Sequence, residues 1–352
     1  MSNTQKETIS SFVNKVLGGT AIAIVVALIP NAILATFLKP LLPNAFAADF
    51  LHIVQVFQFF TPIMAGVLIA QQFKFSTMQQ LAVGGAAYIG SGAWAYTEIV
   101  TEGVTSGIFQ LRGIGDLINM MITASLAVLA VQFFGDKFGS LNIILLPIII
   151  GTVVGYIGWL ILPYVSYVTT LIGQIINTFT TLQPLLMSIL IAMAFSMIIV
   201  SPISTVAISL AIGLNGLSAG AASMGIAATT AVLVWGTLKV NKSGVPIAIA
   251  LGAMKMMMPN FLKHPVMAIP MLVTAAISSI TVPMFNLIGT PTSAGFGLVG
   301  AVGPIASLEG GSGLLLILLV WLVVPFGVGF VTHKICKDVL KLYKDDIFVF
   351  ES

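Results

Sequence analysis

The chain predicts an all-α, polytopic transmembrane protein, on the strength of its composition, its apolar windows and the placement of its basic residues. Hydrophobic residues make up 58% and charged residues 7% of the 352, against about 25% charged in soluble domains, so lipid is the solvent for most of the chain. Crossing ~30 Å of hydrocarbon takes ~20 apolar residues. Ten windows qualify: 17–38, 51–71, 77–96, 116–134, 141–164, 184–200, 202–219, 220–238, 265–286 and 312–335, the seventh of them interrupted. With the N-terminus inside, Lys6, Lys15, Lys74, Lys137, Lys239, Lys242, Lys255, Lys263, Lys334, Lys337, Lys341 and Lys344 all face inward, and Lys39 and Arg112 face outward. That is the positive-inside pattern. It predicts a multi-pass cell-membrane protein with an even number of crossings and both termini cytoplasmic.

Residues 1–16 carry Ile9, Phe12, Val13 and Val16 at helical spacing, which predicts a helix lying on the inner surface. The apolar run from Val16 to Leu38 exceeds the ~7–15 residues of a signal-peptide core, so the first span is expected to stay despite the small residues around Ala45 and Ala47. Residues 97–115 read as a polar, glycine-containing outer loop. Tyr167 to Gln183 mixes Thr, Gln and Asn with Leu, Ile and Phe before Pro184, which predicts an interfacial helix over 166–183 linking two halves. These halves are 1–165, a scaffold, and 184–335, a solute-binding half; 336–352 is read as a cytoplasmic tail. Ser243 to His264 is too polar and short to cross. Within it Lys255 stands among methionines, and snorkelling of its amine to the inner headgroups competes with a gating or anion-contacting role.

Two stretches cannot be regular helix. One runs from Ser201-Pro202-Ile203-Ser204-Thr205 through Leu214-Asn215-Gly216-Leu217-Ser218-Ala219-Gly220; the other is Gly289-Thr290-Pro291-Thr292-Ser293 through Gly313. Backbone broken at membrane depth is tolerated only where protein or a watery cavity covers it, and paired interrupted segments point to a transporter binding site. The hydroxyls of Ser204, Thr205, Thr290, Thr292 and Ser293, with Asn215, either re-satisfy freed carbonyls or line a cavity and bind a polar solute. Glu309 is the one carboxylate inside the second stretch. A carboxylate at the bilayer centre costs at least ~2.5 kcal/mol and usually marks a pathway, unless the loop lifts it to the outer interface. His264, between Lys263 and Pro265, is a further candidate that inner-side water would equally accommodate. Trp94, Tyr96, Tyr156, Trp159, Tyr164 and Tyr167 fall at outer span ends as belt aromatics, with a sugar-stacking platform as the alternative. Trp321, mid-span, is expected to pack between helices.

Other classes fit poorly. The net charge of +3 forms no basic stripe, so nucleic acid is not an expected partner. Cys336 is the single cysteine, which leaves no intramolecular disulfide and no cysteine cluster for a metal; neither metal nor cofactor is expected. Gly310-Gly311-Ser312-Gly313 matches the GxSG pattern of intramembrane serine proteases, but His333 lies 21 residues on, about 31 Å along a helix, out of reach of the hydrogen bond such a nucleophile needs. No catalytic residue is assigned.

The ten spans with both ends inside, the linking surface helix, the entry Lys263-His264-Pro265-Val266-Met267-Ala268-Ile269-Pro270 and the loop Gly289-Thr290-Pro291-Thr292-Ser293-Ala294-Gly295-Phe296-Gly297 together resemble the membrane-embedded EIIC component of the phosphoenolpyruvate-dependent sugar phosphotransferase system. That loop is similar to the family's Gly-Ile-Thr-Glu-Pro loop. Thr292 stands where sugar-transporting members carry glutamate, and Glu309 is the carboxylate available to replace it. The chain shows no phosphocarrier domain and most resembles the stand-alone EIIC-like proteins that include the perfringolysin O regulator group. The resemblance implies a homodimer in the lipid bilayer that binds and translocates a small polar, sugar-like solute, with phosphocarrier proteins as separate partners if phosphotransfer occurs. The competing implication is a sensor or regulatory membrane protein that binds a solute or lipid and moves nothing.

Overall fold

In the computed structural model, residues 8–38, 41–101, 104–135 and 137–350 are described; Lys6, Lys39 and Glu102 lie outside them. The chain is an all-α membrane protein whose described residues contain seven helices long and apolar enough to span. It divides into two compact units, one of residues 1–31 and 45–166 with Ser352, the other of 32–44 and 167–351.

Helix α1 runs unbroken over Ile9–Leu38, so the amphipathic start expected as a separate surface helix is instead, from Ile9 on, the first turns of this span. Nothing between Ile9 and Leu38 stops it: Pro30 sits inside the helix, as proline may in a spanning segment. Within the first unit, α2 (Ala45–Phe59) and α3 (Thr61–Gln72) form one 28-residue apolar stretch, and α4 (Thr77–Ser91) follows, opened by the Ser76 and Gln79 capping box and closed by Gly92 at φ 67°. The polar loop expected over 97–115 is mostly a hairpin, β1 (Trp94–Thr101) antiparallel to β2 (Val104–Leu111), with Trp94 opposite Leu111. Its polarity hid a run of β-branched and aromatic residues, including Thr97, Ile99, Val100, Ile108 and Phe109, which favour a pleated strand.

Helix α5 (Leu117–Phe134) is capped by Asp116, whose carboxylate accepts from the Asn119 amide at 2.8 Å. Short α6 (Asn142–Leu146), a π-helical stretch over Pro147–Val154 and α7 (Gly155–Phe179) make one 38-residue apolar helix. The helix runs unbroken past residue 165, because no proline follows Pro163 until Pro184, and the two compact units divide within it, after Ser166.

The second unit is a bundle of α8 (Pro184–Ile198), α10 (Gly216–Thr237), α13 (Ala268–Ser279) and the last span, Leu314–Val339, which includes α17 (Leu314–Leu318) and α18 (Val324–Lys334). Between the first two lies α9 (Thr205–Ala211), seven residues long. The seventh expected span, 202–219, is therefore not one: α9 is too short to cross, and α10 already starts at Gly216. After α10 come α11 (Gly244–Ala250) and α12 (Met258–Lys263), then α13; beyond it come α14 (Thr281–Met284), α15 (Pro291–Phe296) and α16 (Val302–Glu309). Small residues on every face let α10 sit in the centre, buried almost throughout. Ala192 of α8 meets Gly225, and the Thr229 hydroxyl donates to Ser196 O at 2.9 Å. The chain end folds back on this unit. Asn241 Nδ2 donates to Phe348 O at 2.8 Å, and Asn260 Nδ2 donates to Ile347 O and Val349 O at 2.9 and 2.8 Å.

Candidate functional site

The two broken stretches meet against α10 in the second unit. Proline at 202 has no N–H to give, so the chain leaves helical form after Ile198 and restarts only when Ser204 caps α9, its hydroxyl accepting from the Ala207 amide at 3.1 Å. Thr290 does the same for α15: its hydroxyl accepts from the Ser293 amide at 3.2 Å while Ser293 Oγ accepts from the Thr290 amide at 2.8 Å. The two restarted helices then bind each other, and α15 binds α10. Thr205 Oγ1 donates to Gly295 O at 2.7 Å, and Ser223 Oγ donates to Ser293 O at 2.7 Å. Gly295 lies so close to Val206 that any Cβ there would overlap its backbone.

The candidate residues fall at three levels along α10, whose rise is ~1.5 Å per residue. At its first residue, Gly216 and Gly289 exchange both backbone hydrogen bonds at 3.0 Å, and this antiparallel register sets Asn215 opposite Thr290. Asn215, Thr290 and Thr292 are exposed here. Asn215 Oδ1 accepts from the Gly216 amide at 2.9 Å, whereas the Thr292 hydroxyl has no partner among the described residues. Glu309 adjoins this corner: α16 ends with it, Ser307 Oγ donates to Ile288 O at 3.2 Å, and Gly310 abuts the Ile288 side chain. The carboxylate is exposed. About 10 Å further along α10, one and a half to two turns on, come Ser223 and its partner Ser293, with Thr205 beside them; both Ser293 and Thr205 are buried and spend their hydroxyls on protein carbonyls. His264 is not brought to either level. It is exposed at the end of α12, one turn after Asn260, whose bonds to the folded-back tail put it by the far end of α10.

Lys255 is the residue whose role sequence reasoning placed elsewhere. Its amine does not reach toward headgroups but donates to Ser201 O at 2.5 Å and Ile203 O at 2.8 Å, the carbonyls that the break at Pro202 leaves without helical donors. The signal was a lone charge among four methionines near a broken span, and only the fold could say which carbonyls it meets.

Beside the second break lies a cavity of about 340 Å³, its wall including Leu298, Gly300, Ala301, Pro304, Trp321 and Phe326. Gly300 and Ala301 turn there with φ of 61° and 53°, and a non-glycine residue in that region stores strain of a kind that gathers at functional sites. Opposite them the last span carries a π-helical turn over Leu319–Val323, another feature that recurs at such sites. Trp321 is buried at 1% exposure between helices, as its mid-span position predicts. In the first unit the belt aromatics Trp94 and Trp159 stack at 6.3 Å and, with Tyr96, Phe109 and Arg112, line an open hollow of about 690 Å³.

Among the described residues no group of three or more His, Cys, Asp or Glu is placed to hold a metal ion. No curated protein and no solved structure matches the chain. Its sequence does match one family, described as the phosphotransferase system EIIC, over residues 14–350. With that match across nearly its whole length, on an all-α membrane fold with broken helices, the chain belongs to the phosphotransferase system EIIC family, the membrane transporter component of that system.

Proposed function

We propose that the chain is a permease that binds and translocates a small polar, sugar-like solute in the second unit, where the two broken stretches cross α10. The observation that carries this reading is the meeting of the two breaks: α9 and α15 restart within bonding distance of each other, joined by Thr205 to Gly295, and freed backbone groups plus Asn215, Thr290 and Thr292 offer donors and acceptors at one corner. Glu309 at the rim is the carboxylate that would fix a hydroxyl-rich solute. Ser204, Thr205 and Ser293 shape the site, and His264 takes part only in a state that carries it from the far end of α10. Like the solute class, the homodimer, cytoplasmic termini, separate phosphocarrier partners and kinship to the perfringolysin O regulator branch are parts of this proposal.

The apolar wall of the 340 Å³ cavity favours a second reading, a sensor that binds an amphiphile and moves nothing. Thermal-shift screening of the purified protein against sugars, sugar acids and lipids separates the two, since a ligand stabilises by RT ln(1 + [L]/Kd). The permease reading expects a sugar-class hit, uptake of that compound into proteoliposomes, and loss of both in Glu309→Gln. Hits among lipids alone, with no uptake, would replace it by the sensor.

A further inference from the structure

The amine of Lys255 meets two backbone carbonyls, Ser201 O and Ile203 O, and no third acceptor among the described residues. A neutral amine has two N–H groups and an ammonium has three, so the site as built matches the donors of the neutral form. The charge is also unanswered. The elements packed most closely against the turn Met254–Met257 that carries Lys255 are α10, α11 and α12, with the unwound segment 199–204 at its amine, and Lys263 at the exposed end of α12 is the one titratable side chain in these four. None of them supplies a carboxylate. Around the stem, Met254, Met256, Met257 and Met258 are all buried.

We propose that Lys255 is a proton-operated latch: neutral, it pins the unwound segment that starts α9, and on taking up a proton from water it releases that segment. Protonation adds one N–H and one positive charge, and both are satisfied only by water, so the ammonium gains by swinging out. Loss of the proton to water returns two donors to two carbonyls. The release is transmitted because the pinned segment ends in Ser204, the cap of α9, and Thr205, the bond to Gly295. Burial pushes the amine of Lys255 down to about 7, which puts the proton exchange near neutral pH.

Hydrogen exchange of peptides within 203–212 tests the latch without any solute. With intrinsic rates divided out, protection in the wild type should rise with pH above neutral, approaching about ten-fold per pH unit for one linked proton. Lys255→Met, never charged, should show a flat profile, and Lys255→Arg, always charged, a flat profile at low protection. Peptides from α5 serve as the reference for global opening and should not share the slope. A flat wild-type profile, or the same slope in Lys255→Met, would overturn the latch. If Lys255→Arg does not fold, the Lys255→Met comparison still decides. Proteoliposome uptake of a sugar panel is read separately: no uptake with the slope intact sinks the permease reading and leaves the latch standing.

Discussion

In the first unit α3, α4 and α5 are regular, and their polar side chains act between helices. Asn119 Nδ2 donates to Gly90 O at 2.5 Å and to Gly158 O at 2.8 Å, and Gly90 and Gly158 both flank Thr123 so tightly that a Cβ on either would overlap its hydroxyl. In the second unit α9 and α15 are broken, and Lys255, Thr205, Ser223 and Ser307 donate to carbonyls at or beside the breaks. The bond type is the same, side-chain donor to backbone carbonyl, but it rivets complete helices in one unit and repairs incomplete ones in the other. A repair can be exchanged for water or a solute at little cost, because the carbonyl stays satisfied. A rivet has no substitute in hydrocarbon.

The largest expected effect tests whether close packing holds the broken unit around α10. A Cβ at Gly225 would collide with the backbone of Ala192, whereas one at Gly85 in the first unit meets nothing within 4 Å. Gly225→Val should cost at or above the top of the ~1–3 kcal/mol typical of overpacking and should abolish monodisperse protein on gel filtration. Gly85→Ala should behave as wild type. A well-folded Gly225→Val would mean that α8 and α10 slide apart freely.

Next comes the rivet against the repair. Interhelical hydrogen bonds in membranes are worth ~0.6 kcal/mol on average and up to ~1.7, so Asn119→Ala, which loses two, should lower stability by ~1–3 kcal/mol and leave the fractional response to any ligand unchanged. Thr205→Val should lower stability less and alter that response. Equal changes in ligand response for the two variants would erase the distinction.

The rivets and repairs were unequally legible in the sequence. Broken stretches, the apolar spans and the buried Trp321 follow from Pro, Gly and hydropathy, which act locally. The hairpin at Trp94–Leu111 was hidden by its polar residues, and the continuity of 141–164 with the linker by Thr and Gln, which do not stop a helix. Lys255 was visible as an oddity, but its partners are more than fifty residues away in the chain, and such pairing is set by packing rather than by pattern. Thr205 and Ser293 look the same as Thr292 in sequence; only the fold shows that the first two are occupied.

Titration sharpens the comparison further, since Asn119 has no proton to lose and Lys255 does. The folded-state pKa of Lys255 is lowered from 10.5 to about 7, so between those values the unfolded chain holds a proton that the folded chain has released. Stability must therefore rise with pH across that window, and below it both states are charged and this group contributes no slope. Melting temperatures of wild type and Lys255→Met should diverge in slope as pH rises from neutral, with the rise confined to the wild type. Parallel curves would show that Lys255 keeps its proton in the fold.

The smallest effect belongs to Thr292. It is exposed, the second residue of α15, and its hydroxyl bonds nothing among the described residues, while Thr290 and Ser293 near it are committed to the cap. Removing the hydroxyl therefore deprives the fold of nothing, and Thr292→Ala should melt with the wild type. Any loss should appear only in solute affinity, at most ~1 kcal/mol or about five-fold, because neighbouring donors at the Asn215 and Thr290 corner share the solute. A thermal melt checks the first half of this statement and titration calorimetry with the best ligand from the screen checks the second. A lowered melting temperature would reclassify Thr292 as a repair like Thr205, and an affinity loss far beyond five-fold would make it the principal solute contact in place of Glu309.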